Sequence, residues 1–475
     1  MEVRRMSVNK VDFLDSHGTD TLLEELFTKI ADNYIRNEQV DSELDSTSTN
    51  PVENRAIVAA INGKEDKVYQ YGFQIDLDES NPTSMITYIG KNASYSPAHM
   101  DYANSRFDYG DWSDIWFIKD LKVVMMKYDG TVDYELNPNN YAQKKAGGTS
   151  AYNSDSYGGN VMVGIPTVWI KVDVTNPRKP KFWFAPEQIN SSYHAFAHTN
   201  SVGDIMPYTY MAAYDAWKDS SSRLRSISGK VPTRSETGST QITECRANNL
   251  SGATIWDLHT LVDHELITLL LMLIGKSTDS QTVFGYGNGN GYNSHATGSD
   301  ENGVLSSGTM DSRGLFWGYS GSTTTNLGVK VFGIEHFWGN IWKRTQGLIN
   351  DNGTMKYKLT RGTYDGSTTS DYNTTGSGYL TAGTLTNITS GSFITDMYVG
   401  NFGFLPKATN TTTGSASTYY CDKVWVNNAQ VNFALFGGVS SHGSHCGSFY
   451  CYLNNAVGNS YWTVGAALSC KPLNA

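Results

Sequence analysis

Several things are scarce in this chain. Charged residues make up only 17% of its 475 residues, and Lys plus Arg (36) are outnumbered by Asp plus Glu (46), for a net charge of -10. A basic face that could release counterions from phosphates is therefore missing, which argues against nucleic acid as a partner. No long apolar run occurs, and the opening "MEVRRMSVNKVDFLDSHG" contains neither a signal peptide nor a membrane anchor. A soluble chain with no membrane insertion is expected. There are five cysteines (Cys245, Cys421, Cys446, Cys451, Cys470), an odd number without zinc-type CxxC spacing. That pattern argues against a disulfide framework and favours reduced, buried thiols.

Glycine (46), tyrosine (29) and tryptophan (11) are plentiful instead. Glycine-flexed loops studded with aromatics suit contact surfaces, because Tyr and Trp give large area at low entropic cost. The first sixty-odd residues differ from the rest. "TLLEELFTKIADNYI" places Leu23, Leu26, Phe27, Ile30 and Tyr34 on one helical stripe. "STNPVENRAIVAAINGK" starts a second helix, with Asn50 as N-cap, Pro51 at N1 and Gly63 as stop. Helices this short are marginal alone and must pack on copies of themselves or on a larger body. Residues 1–66 are thus expected to be a helical stem, and 67–475 a β-rich head whose core spans roughly 160–475.

In the head, "VYQYGFQIDL", "DIWFIKDLKVVMMKYDGTVDYEL", "VMVGIPTVWIKVDV" and "PKFWFAP" predict strands. "SGATIWDLHTLVDHELITLLLMLIGK" predicts one strong helix with a wide apolar stripe ending at Gly275. One helix among many strands suggests an α+β head rather than a doubly wound sheet. Residues 277–328 and 350–418, rich in Gly, Ser, Thr and Asn, predict long surface loops and edge hairpins. Known chemical motifs fail. His264-Glu265 is followed by Thr268 where HExxH needs histidine, and "GYGNGNGYN" lacks the Lys-Ser/Thr ending of a phosphate loop. Asp257, His259, Asp263 and His264 are expected on the solvated face of the helix or at the domain edge, and no metal ligands are assigned.

The closing segment, Phe436 to Cys470, interweaves two populations of residues. In "SFYCYL" strand alternation puts Phe449, Cys451 and Leu453 on one face, with Ser448, Tyr450 and Tyr452 on the other. In "YWTVGAALSC", Trp462, Val464, Ala466, Leu468 and Cys470 share a face, opposite Tyr461 and Thr463. "FGIEHFWGNIW" supplies further framework in Phe332, Ile334, Phe337, Trp338 and Trp342. The apolar sets are expected in the core and the assorted sets outside.

"VPTRSETGS", "ECRANN", "VFGIEHFWGNIWKRTQG" and the closing segment resemble the C-type-lectin-like fold of the formylglycine-generating-enzyme type. They look most like the variable proteins of diversity-generating retroelements, many of them phage receptor-binding proteins. "DSELDSTSTNPVENRAIVAAING" resembles a stalk segment of phage tail fibres. The resemblance implies an α+β, C-type-lectin-like head on a short helical oligomerising stem. It further implies a non-enzymatic homotrimer in the virion, at the tail tip or fibre. The head would meet a host cell-surface receptor, protein or glycan, and the stem would meet other tail proteins.

The ligand face so implied comprises Val439, Ser440, Ser441, His442, Ser444, His445, Ser448, Tyr450, Tyr452, Ser460, Tyr461 and Thr463. No cofactor is expected, and structural calcium in the Asp- and Asn-bearing loops stays open. Ala467 stands where such proteins often carry Arg. Two alternatives remain. One is a copper oxidase using Cys446 and Cys451, which match the enzymes' spacing, although Lys343-Arg344 stands where the enzymes usually read Glu-Trp. The other is a variable lectin-like protein displayed on a bacterial surface.

Overall fold

A computed structural model describes residues 70–290, 300, 302–321, 328–360 and 378–473. The expected helices of the 1–66 stem lie outside these residues. Tyr71–Ala475 form one unit.

Among the described residues strand dominates, at 36% against 11% helix, and no helical stem is evident, which overturns the α+β, C-type-lectin-like expectation. Three sheets carry most of the described chain. A four-stranded sheet runs Ile86–Gly90, Tyr71–Ile75, Lys181–Ala185, Trp169–Asp173. A seven-stranded sheet brings the last strand, Leu468–Cys470, between Trp256–Leu258 and Tyr208–Ala212, and continues through Gly159–Pro166. A nine-stranded sheet is centred on Trp342–Asp351, Val431–Phe436, Cys451–Asn455 and Lys423–Val426. At its far edge lies a hairpin of Ile388–Gly400 and Gly403–Thr409.

The predicted strands form, with adjustments. Trp116–Lys119 is a short helix before Lys122–Lys127, and the predicted helix is confined to Leu261–Gly275. The residues ahead of it, Trp256–Leu258, are a strand because their backbone pairs with Leu468–Cys470, far away in sequence. Stretch 350–418, expected as loops and edge hairpins, also contributes Thr354–Tyr357 and Leu380–Thr384 to the large sheet. No helix among the described residues is long and apolar enough to cross a membrane.

Leu261–Gly275 is buried along its whole length, the polar Asp263, His264 and Glu265 of its first turns included. Thr260 and Asp263 close a capping box at its start, with Thr260 N donating to Asp263 Oδ2 at 3.1 Å. Lys276 ends it in the left-handed conformation (φ 50°). Its apolar side chains share one core with Phe73 and Phe182 of the four-stranded sheet, Val123 and Val163 of the seven-stranded sheet, and Leu435 and Leu453 of the large sheet. The expected framework residues Phe332, Ile334, Phe337, Trp338 and Trp342 are all buried.

Candidate functional site

Two neighbouring strands of the large sheet, Lys423–Val426 and Cys451–Asn455, pair in parallel, with Val424 opposite Cys451, Trp425 opposite Tyr452 and Val426 opposite Leu453. Val424, Val426, Cys451 and Leu453 are fully buried on the core side. Lys423, Trp425, Tyr452 and Asn454 are half-buried on the other. Alternation thus divides core from surface.

Above this pair runs the loop that follows Val431–Phe436. Gly438 takes a φ of +90°, and a Cβ there would meet Cys446 Sγ at 2.5 Å, so only glycine lets the loop fold back on itself. The turn before Cys451 is held from three sides. Phe449 N donates to Asp422 Oδ2 (2.8 Å), Ser448 N donates to Ser280 Oγ (3.1 Å), and His264 Nε2 lies 2.7 Å from the Ser448 carbonyl. Since a carbonyl can only accept, His264 carries its hydrogen on Nε2. Its ring stacks on Phe436 at 4.0 Å, so the central helix fixes the turn directly.

The twelve candidate ligand residues separate accordingly. Ser441, Ser444, Ser460 and Tyr461 are exposed, and His442, His445, Tyr452 and Thr463 are half-buried. Val439, Ser440, Ser448 and Tyr450 are buried, which corrects their expected outward facing. Ser448 and Tyr450 do not alternate because the strand begins only at Cys451. The turn pinned by Asp422, Ser280 and His264 directs them inward. Ser440 is tied down by Oγ donating to the Asn302 carbonyl (2.9 Å) and N to the Asn340 carbonyl (3.1 Å). Trp462, expected in the core, is half-buried.

Tyr450 links core and surface. Its ring lies 4.5 Å from that of Trp342, and its hydroxyl is 3.1 Å from both Trp425 Nε1 and His442 Nδ1. Indole N–H only donates, so Tyr450 Oη accepts from Trp425 and can pass its own hydrogen to His442 Nδ1. In that arrangement the His442 hydrogen is on Nε2. Trp342 also lies 5.3 Å from Tyr452 and 5.6 Å from His442, and Trp425 lies 5.8 Å from Tyr452. An aromatic patch results, with rims at Trp425, Tyr452, His442 and the half-exposed Tyr461. Lys423, Trp425 and Phe393 were not singled out from the sequence. The alternation of "KVWV" was the available signal, but its partner strand is remote in the chain.

The polar residues around the start of the central helix are engaged inside the fold. Asp257, His259, Asp263 and His264 are buried, which corrects the solvated-face expectation. Asp257 pairs with Arg246 (2.8 Å), Asp263 caps the helix, and His264 holds Ser448. Among the described residues no group of three or more His, Cys, Asp or Glu is placed to hold a metal. Cys446 and Cys451 are both buried, and burial pushes both thiols well up. A scan against protein-family models gives no match for this chain, and a search of curated proteins gives none either.

Buried titratable groups give stability a two-sided pH dependence. Burial holds His198, His264 and His336 at about 3 and His259 at about 4, against 6.5 when exposed. The unfolded chain takes up protons below 6.5 that these rings refuse, so their contribution is lost as pH falls from 6.5 toward 4. Burial also raises Glu265 and Asp422, and pushes Glu335 up to about 8. These carboxyls keep protons that the unfolded chain releases above about 4.5, so their contribution is lost as pH rises toward 8. Each group acts with a slope of up to about 1.4 kcal/mol per pH unit. Thermal melts between pH 4 and 8 should therefore peak between about pH 5 and 6.5. A melting temperature still climbing from 6.5 to 8 would contradict this.

Proposed function

We propose that this chain is a receptor-binding protein of a bacteriophage tail, a non-enzymatic adhesin whose ligand face is the aromatic patch and the loop above it. The observation that carries the binding reading is the division of residues across the paired strands Lys423–Val426 and Cys451–Asn455 and the segments beside them. Val424, Cys451 and Leu453 fix the sheet from inside, while Trp425, Tyr452, His442 and Tyr461 offer aromatic and hydrogen-bonding surface outside. Tyr and Trp in this half-buried setting are the residues that dominate contact energetics. Placement in the virion and attachment to other tail proteins rest on the resemblance of the N-terminal segment to tail-fibre stalks. A homotrimer carrying three such faces would gain avidity over any single site.

Tyr461 provides the cleanest test, being 50% exposed. Tyr461→Ala should leave the melting temperature unchanged and weaken adhesion to host cells about tenfold to thirtyfold, the effect of truncating an interface aromatic. Undiminished adhesion in Tyr461→Ala and Tyr452→Ala alike would reject the face. Diversification is tested by sequencing the codons for Phe436 to Cys470 across one population. Substitutions should collect at Ser441, His442, Ser444, His445, Tyr452, Ser460, Tyr461 and Thr463, with Phe449, Leu453 and Val464 fixed. Uniform invariance would remove that part of the reading.

A further inference from the structure

Resting on that reading of the face, we infer that its ligand is an acidic glycan, whose anionic group meets Lys423 while a sugar ring packs on Trp425 and Tyr452. The chain carries a net charge of -10, yet this face presents a cation, Lys423. Lys423 is half-buried, with its ammonium 5.0 Å from the centre of the Phe393 ring, and no ion pair to it occurs among the described residues. Burial alone lowers its pKa, with no acidic neighbour opposing the shift.

The groups around Lys423 agree. Asp422, next in the chain, is turned inward, where its carboxyl accepts from Phe449 N (2.8 Å), and burial raises its pKa. Asp396, on the adjoining strand, is already bound by Arg178 (2.9 Å) and Lys407 (2.7 Å). On the loop side His445 packs on Phe393 at 5.7 Å, and His442 follows. Burial and the Lys423 charge hold both imidazoles down at about 4, so they are neutral donors and acceptors at pH 7. The surroundings of Lys423 thus offer one cation and two neutral imidazoles, while Asp422 is buried and Asp396 is held by Arg178 and Lys407, an arrangement complementary to an anion.

A sugar suits the remainder of the surface better than an acidic peptide. A pyranose has a flat apolar face and a rim of hydroxyls. Trp425 and Tyr452, their rings inclined at 35°, give it apolar area on a sheet face. The hydrogen-bond chain from Trp425 through Tyr450 engages His442 at Nδ1, which leaves Nε2 of the half-buried ring for a hydroxyl or carboxylate oxygen. Ser441 and Ser444, both exposed, add hydroxyls that donate or accept.

The experiment uses the full chain and titrates it by calorimetry with oligosaccharides bearing glucuronate, sulfate or phosphate groups, each beside its neutral counterpart. Polyglutamate serves as the acidic peptide control. At least one acidic sugar should bind, about tenfold or more tighter than its neutral form, with affinity falling as salt rises. Lys423→Met should remove that preference, and Lys423→Arg should restore part of it. Equal binding of acidic and neutral forms, or indifference to Lys423→Met in a variant with unchanged melting temperature, overturns the inference. Binding of polyglutamate in preference to every sugar overturns it in favour of a protein partner. Where no sugar binds but adhesion to cells still depends on Tyr461, the acidic-glycan inference fails and the ligand face stands. Loss of that Tyr461 dependence would instead undo the face itself.

Discussion

Replacing Lys471 by Ala should lower the unfolding free energy by about 3–5 kcal/mol, as breaking a buried ion pair does. Lys471 sits just beyond the last strand and is only 1% exposed. Its ammonium donates to Asp263 Oδ1 (2.7 Å), Thr209 Oγ1 (2.8 Å) and the Ala197 carbonyl, so all three of its hydrogens are used. Asp263 is fully buried and also closes the capping box of the central helix. Removing the ammonium leaves that carboxylate without its counter-charge at the point where the helix starts. The helix in turn presents His264 to the Ser448 carbonyl, so the damage runs toward the ligand face. Urea unfolding of Lys471→Ala, Asp263→Asn and the double variant would measure it. The double variant should lose less than the sum of the singles, because the two groups share one interaction. A loss below about 1 kcal/mol in Lys471→Ala would mean that the pair is solvated.

What the sequence made legible follows from the range of the interactions involved. The Leu261–Gly275 helix was readable because its apolar residues and the Thr260–Asp263 box lie within a few positions of one another. Its predicted start was too early, since Trp256–Leu258 is a strand only by virtue of Leu468–Cys470. The same contrast divides the ligand face. Cys451 and Leu453 inside, Tyr452 outside, follow from alternation within one strand. Ser448 and Tyr450 break it because Asp422, Ser280 and His264, all remote in the chain, set the turn. Lys423, Trp425 and Phe393 join the face through a parallel pairing and an edge hairpin that no local pattern encodes. The fold class failed for a related reason. Runs rich in Gly, Ser and Thr read as loops, yet some pair as sheet once a neighbouring strand supplies the partners.

Tyr450 is where these two lessons meet, and its two truncations should behave differently. Tyr450→Ala removes a fully buried aromatic ring that packs on Trp342, and should cost about 3–5 kcal/mol. Alternation alone would have placed the ring outside and made the same change harmless. Tyr450→Phe keeps the ring and removes only the hydroxyl, leaving Trp425 Nε1–H and His442 Nδ1 without the partner they share. The loss should be about 1–3 kcal/mol, and the fold should persist. Adhesion of the Phe variant should nonetheless weaken, because nothing then fixes the His442 ring or keeps its hydrogen on Nε2. Nitrogen shifts of the His442 ring by NMR would report the tautomer directly, with a mixed population in the Phe variant and a single Nε2–H form in the parent. A Tyr450→Ala protein within about 1 kcal/mol of the parent would place the ring at the surface after all. Unaltered His442 nitrogens in Tyr450→Phe would detach the imidazole from this chain of donors, and with it the Nε2–H that the ligand face offers.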